Sequence, residues 1–289
     1  MITARSYTDD ERRHFLRYTR TESWPMLQRF PVDDGLHAEL LAQMLASTPE
    51  TIRALLGSLR DEVRAAAARM LADEHFREAL TALPFRPQDR IAAVGDSITA
   101  DRLGWFELLS ASIDLTGGPK PTLINLGISG NTTADVLERF DLVEAARPTR
   151  VLLMLGTNDA RAHGRTGRYR MATTEETGRN LRALVDLMTR DLNAVVTIVT
   201  PPAVNQQRID TFFTDAPLHW QAAEVAEVAG VVHRSAPGAL DLHNAIGGRG
   251  TDDLLEPDGV HPTLAGQRII LTHIVDHLRA GGVKEHLGI

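Results

Sequence analysis

The chain has no cysteine. That single absence removes disulfides, thiolate nucleophiles and thiolate-ligated metal sites together, and leaves any chemistry to Ser, His, Asp, Asn and backbone amides. No stretch approaches the roughly 20 consecutive apolar residues of a membrane span, and the N-terminal residues lack the apolar core of a secretory signal. A cytoplasmic location without membrane insertion is the expectation. Positive charge is in the minority, with 31 Lys and Arg against 38 Asp and Glu and a formal net charge of -7. No long basic run offsets it, so no nucleic-acid partner is expected. At 289 residues the chain has room for one large α/β domain, or for a domain with an appendage, and for a substantial core.

Two kinds of pattern divide the chain. In residues 1–88 apolar positions recur at helical spacing with no β-branched run. The clearest helix opens at Thr48-Pro49, a capping hydroxyl followed by a proline at the first helical position, and lines Ile52, Leu55, Leu56, Leu59, Val63 and Met70 along one face. Further helices are expected over residues 9–18, 36–46 and 74–83, with Pro25, Pro31 and Gly35 as interruptions and Pro84 and Pro87 as the boundary. In residues 89–289 short apolar runs at 91–94, 122–126, 151–155, 195–200 and 231–233 alternate with amphipathic stretches at 102–113, 133–145, 175–192, 217–229 and 263–279. This alternation predicts a doubly wound, flavodoxin-like α/β fold of five parallel strands with helices on both faces, preceded by an all-helical extension. In such a sheet ligands bind beyond the carboxyl ends of the strands.

Four short stretches fall at that edge. Gly95-Asp96-Ser97-Ile98-Thr99 follows the first strand and sets a serine hydroxyl and its amide at a strand-to-helix turn; it is not a G-x-S-x-G elbow, because position 99 is threonine. Asn125-Leu126-Gly127-Ile128-Ser129-Gly130-Asn131-Thr132 follows the second strand and offers the Gly130 amide as a donor. Gly156-Thr157-Asn158-Asp159 follows the third and offers a side-chain amide. Asp258-Gly259-Val260-His261-Pro262 precedes the last helix, with a carboxylate three residues from an imidazole whose ordinary pKa of about 6.5 suits a general base. Singly, each has a commonplace reading as a turn or helix cap. Their joint position gives them weight.

The blocks GDSIT, GISGN, GTND and DGVH, in this order and context, resemble those of the SGNH hydrolase (GDSL-like lipase/esterase) family over roughly residues 90 to 280. The resemblance implies a serine hydrolase that cleaves carboxylic esters. It implies catalytic roles for Ser97 as nucleophile, His261 as base and Asp258 as its partner, and an oxyanion hole made by the amides of Ser97 and Gly130 and the side chain of Asn158. No metal or organic cofactor is expected. Residues 1–88 lie outside the resemblance.

Substrate contacts are expected from Thr157 and from the polar stretch 161–174, above all Arg165 and Arg168, with Arg161, Arg170, His163 and Tyr169 nearby; a guanidinium there suits an acidic or phosphate-bearing group. The absence of a long apolar lid segment after the motifs favours a small-molecule ester with a short acyl group, on a sugar or small metabolite. Trp105 and Trp220 read as core. Three rivals stand beside the hydrolase: an acyltransferase using the same intermediate, a metallophosphoesterase built on Asp96, Asn158, Asp159, Asp258 and His261, and a non-catalytic binding module. The apolar stripe of the N-terminal helices has three uses: packing on the hydrolase domain, homo-oligomerisation, or a lid.

Overall fold

A computed structural model of the chain describes residues 6–163, 169–236, 238–247 and 253–287, with side chains to residue 281. Five helices come first: α1 (Asp9–Tyr18), α2 (Pro25–Gln28), α3 (Asp34–Met44), α4 (Pro49–Leu71) and α5 (Glu74–Thr81). The sheet region follows with β1 (Arg90–Gly95), α6 (Ser97–Ala100), α7 (Trp105–Thr116), β2 (Thr122–Gly127), α8 (Thr133–Glu138), α9 (Phe140–Ala145), β3 (Arg150–Met154), β4 (Ala162–His163), β5 (Tyr169–Arg170), α10 (Thr174–Asp186), β6 (Val195–Val199), α11 (Gln206–Phe212), β7 (Leu218–His219), α12 (Ala222–Ser235), α13 (Leu242–Gly247) and α14 (Leu264–Leu287).

The starts of the helices are written locally. Thr8 and Glu11 form a capping box on α1, and the Thr48 hydroxyl accepts from the Thr51 amide with Pro49 at the first position of α4. The main sheet is parallel, in the order β2-β1-β3-β6. Alternate residues of its two central strands face opposite ways. Ile91, Ala93, Leu152 and Met154 enter one core with Trp105, Leu108, Ile270 and Ile274, whereas Ala92, Val94, Val151 and Leu153 enter another with Leu181, Leu184, Val225 and Val228. Such strands, apolar on both faces, read as continuous runs because helices cover both sides.

The fifth strand expected at 231–233 is not a strand. Those residues lie in α12, where Val225, Val228, Ala229 and Val232 are buried at spacings of three, four and seven along one face. The fifth position at the sheet edge is held by a single residue, Leu240, whose amide bonds Ile198 O and whose carbonyl accepts from the Thr200 amide. The polar stretch after Asn158 contributes β4 and β5 to a small antiparallel sheet ordered β5-β4-β7.

The N-terminal helices share the first core. Leu16, Leu41, Ile52, Leu59, Val63 and Met70 pack in the same cluster as Trp105 and Ile91. Several ion pairs join the two regions, and the most deeply buried of those among the described residues is that of Arg17 with Asp101. Arg17, 6% exposed, meets the fully buried Asp101 through a two-pronged pair, Nε to Oδ1 and Nη2 to Oδ2, each 2.8 Å. Burial opposes the charge on Arg17, but the field and hydrogen bond of Asp101 prevail and hold its pKa above the ordinary arginine value. Breaking one partner of such a pair strands the other charge in the interior. Arg17→Met is therefore expected to lower unfolding stability by about 3–5 kcal/mol in urea titration, and a loss of only about 1 kcal/mol or less would contradict this assignment.

Candidate active site

The carboxyl ends of β1, β2 and β3 and the loop before α14 bring the four motifs to one rim. At the end of β1, the Asp96 carboxylate caps α6 by accepting from the Ile98 amide at 3.0 Å, which fixes Ser97 at the first turn of the helix with its side chain half-buried. The helix sits tight on β2: a Cβ on Gly127 would lie 2.5 Å from the Ala100 amide nitrogen. Burial pushes the Asp96 carboxyl up to about 6, against the Ile98 amide and His261, which pull it down.

Ser97 Oγ lies 2.8 Å from His261 Nε2, and His261 Nδ1 lies 2.6 Å from Asp258 Oδ2. The second oxygen of Asp258 accepts from the amides of Val260 at 2.9 Å and His261 at 3.0 Å. Burial alone would raise the Asp258 pKa, but these bonds and the imidazole's charge hold it below the ordinary carboxylate range. Burial likewise works against a charged His261. The hydrogen bond and charge of Asp258, aided by Asp96 and Asp101, outweigh it, and the pKa of His261 stands above the ordinary histidine value. The supporting loop is closed by the Glu256 amide on His261 O at 2.7 Å and the Gly259 amide on Glu256 O at 2.9 Å, with Gly259 at φ +73° where a side chain would be strained. Such a line can move a proton from the serine to the imidazole while the carboxylate steadies the cation formed.

Gly130 has φ +84°, a conformation that glycine adopts without strain, and Asn158 Nδ2 donates to Asn131 O at 3.2 Å, tying the second and third motifs together. Two further groups hold this arrangement: Arg139, which sequence reasoning did not single out, and Asp159, which it named as a metal ligand in a rival reading. The buried Arg139 donates to Asn131 Oδ1 at 2.7 Å and to Leu126 O at 2.8 Å. The buried Asp159 accepts from the Thr133 amide at 3.1 Å, from the Thr133 hydroxyl at 2.5 Å and from the Thr177 hydroxyl at 3.2 Å. Asp159 and Asp258 are thus engaged within the protein, not turned together toward a shared metal position.

The remaining expected residues fall in different places. Thr157 is buried, and its carbonyl accepts from the Trp220 indole at 2.9 Å. Trp105 and Trp220 are core. Arg165 and Arg168 lie outside the described residues. Arg170 pairs with Glu227 at 3.1 Å. Arg161 stands apart: a Cβ on Gly130 would lie 3.9 Å from its Nη1, and its Nε is buried with no partner among the described residues. Burial, only partly offset by Asp135, holds its pKa below the ordinary guanidinium value.

Comparison with known proteins gives a family model, GDSL-like lipase/acylhydrolase, that matches residues 93–269. No curated protein matches the chain. Among solved structures, a lipase/acylhydrolase from Enterococcus faecalis is 25% identical, covering 66% of this chain and 96% of that one with a TM-score of 0.53. An α/β hydrolase from the metagenome of Lake Arreo, Spain, is 24% identical over 66% of this chain and 94% of that one, with a TM-score of 0.52. An acetylxylan esterase from Geobacillus stearothermophilus, solved as a serine-to-alanine catalytic mutant, is 22% identical over the same shares, also with a TM-score of 0.52. The latter two likenesses show a shared fold. With the family model covering more than half of the chain, the protein belongs to the GDSL-like lipase/acylhydrolase family and is an SGNH-type esterase.

Proposed function

We propose that the chain hydrolyses carboxylic esters of short acyl groups, on a sugar or small metabolite, through an acyl intermediate on Ser97. The observation that carries this reading is the unbroken line from Asp258 through His261 to Ser97, with contacts of 2.6 and 2.8 Å. As Ser97 Oγ adds to the ester carbonyl, its proton passes to His261 Nε2 and the carbonyl becomes an oxyanion. The amides of Ser97 and Gly130 and Asn158 Nδ2 hold that charge. Collapse expels the alcohol, which takes the proton from His261, and water repeats the cycle to release the acid. The acetyl-sugar reading draws on the acetylxylan esterase neighbours, of which catalytic mutants lack a serine or an aspartate.

On a chromogenic acetate ester, Ser97→Ala is expected to abolish turnover, and Asn158→Ala to lower kcat by about 10² to 10³. Wild-type turnover in the Ser97 variant would end the assignment.

The base form of His261 is the neutral one, so activity rises as pH climbs through its raised pKa. The acid limb of kcat/KM is expected to have its midpoint above about 6.5. Asp258→Asn removes the charge that raises it. That variant should move the midpoint down and lower kcat by at least about 10², and an unmoved limb would contradict the role given to Asp258.

Arg161 supports a further property of the substrate. A half-buried cation beside Gly130, with no ion-pair partner among the described residues, is completed by an anionic or hydroxyl-rich group next to the ester. Arg161→Ala should raise KM for a hemisuccinate ester while leaving KM for the butyrate ester of the same alcohol unchanged. Equal effects on both would remove Arg161 from recognition.

A further inference from the structure

Helix α1 lies outside residues 93–269 matched by the family, yet its last turn touches the Ser97 helix, the His261 loop and the loop after β2. Besides its pair with Asp101, Arg17 donates through Nη1 to Glu256 Oε1 at 2.5 Å and through Nη2 to Pro262 O at 3.0 Å. Asp101 ends the Ser97 helix, its amide bonded to Ser97 O at 2.9 Å, while Glu256 and Pro262 flank the loop that carries His261. One guanidinium therefore spans the two elements whose separation sets the Ser97–His261 contact. Next to it, the Tyr18 ring lies against the His261 imidazole with centroids 4.7 Å apart and planes tilted by 47°, and the Arg17 guanidinium carbon lies 5.0 Å from the Tyr18 ring centroid. Ser129 of the oxyanion loop donates its hydroxyl to Tyr18 O, and Arg20 donates to Ala100 O at 2.6 Å.

We propose that Arg17 and Tyr18 are positioning residues of this active site, which makes the N-terminal helical segment part of the catalytic unit. The inference rests on the roles given above to Ser97 and His261. Asp258 fixes one edge of the imidazole but leaves the ring free to rock about the Nδ1 hydrogen bond; the Tyr18 ring, packed against it at a tilt of 47°, limits that freedom and shields the Asp258–His261 pair from water, which preserves their attraction. The Tyr18 hydroxyl is buried with no partner among the described residues, so it is the ring and not the hydroxyl that acts.

The test uses the full chain as wild type, Tyr18→Phe, Tyr18→Ala and Tyr18→Leu, with kcat and KM on a chromogenic acetate ester and the rate of labelling by a fluorophosphonate. Tyr18→Ala should lose about 10- to 100-fold in kcat and in labelling rate with KM within about twofold, and Tyr18→Phe should match wild type in all three. Tyr18→Leu fills the space without a flat face and should lose activity as alanine does; it carries the test if the alanine variant does not fold. Wild-type kcat and labelling in both Tyr18→Ala and Tyr18→Leu would overturn the inference, as would a loss confined to KM or a phenylalanine variant as impaired as alanine. Ser97→Ala in the same assays keeps the two readings apart: activity that survives it sinks the nucleophile assignment, whereas activity that depends on Ser97 but ignores Tyr18 sinks only this one.

Discussion

The hydrogen bond between Ser97 and His261 joins residues 164 positions apart at 2.8 Å, and the candidate site depends on the fold holding that contact. Neither residue is held by its own element alone. Ser97 depends on the end of β1 and on the approach of α6 to Gly127, whereas His261 depends on a loop closed through Glu256 and Gly259. The buried Asp258, already satisfied by two amides on one oxygen, presents the other to the ring, so the imidazole is oriented before any substrate arrives. Preorganisation of this kind moves the cost of orientation from the reaction to folding.

The same economy governs the donors. Asn158 and Gly130 sit on separate loops, and a network of buried polar groups keeps them together: Arg139 on Asn131 and Leu126, Asp159 on Thr133 and Thr177, and Asn180 on Thr133. Buried charges such as these add little net stability compared with apolar packing, and their use lies in specifying a unique geometry. Arg17 and Asp101 extend that logic across the boundary between the helical segment and the sheet.

The candidate site was legible in the sequence because each motif is a local event: a strand end, a turn and a helix start, written within five or so neighbouring residues around Ser97, Gly130, Asn158 and His261. The four sheet strands were legible because burial on both faces forces uninterrupted apolar runs. The fifth failed for the same reason. Val231 and Val232 make a short apolar run, but they continue the helical face of Val225 and Val228, and the true edge partner, Leu240, is one residue long and carries no periodicity. Arg17 and Tyr18 were opaque because their contacts are to partners distant in sequence: Arg17 meets Glu256 across 239 positions, and an arginine or tyrosine at the end of an amphipathic helix looks like any solvated side chain. Thr157 was placed at the rim by its motif, yet it is buried.

The most direct measurement of the central claim is a crystal structure of the protein after reaction with a phosphonate ester inhibitor. The account predicts phosphorus bonded to Ser97 Oγ, its free oxygen within about 2.7–3.1 Å of the Ser97 and Gly130 amides and of Asn158 Nδ2, and the His261 ring still between Tyr18 and Asp258. Phosphorus on another residue, or an oxygen turned to solvent away from those three donors, would contradict it.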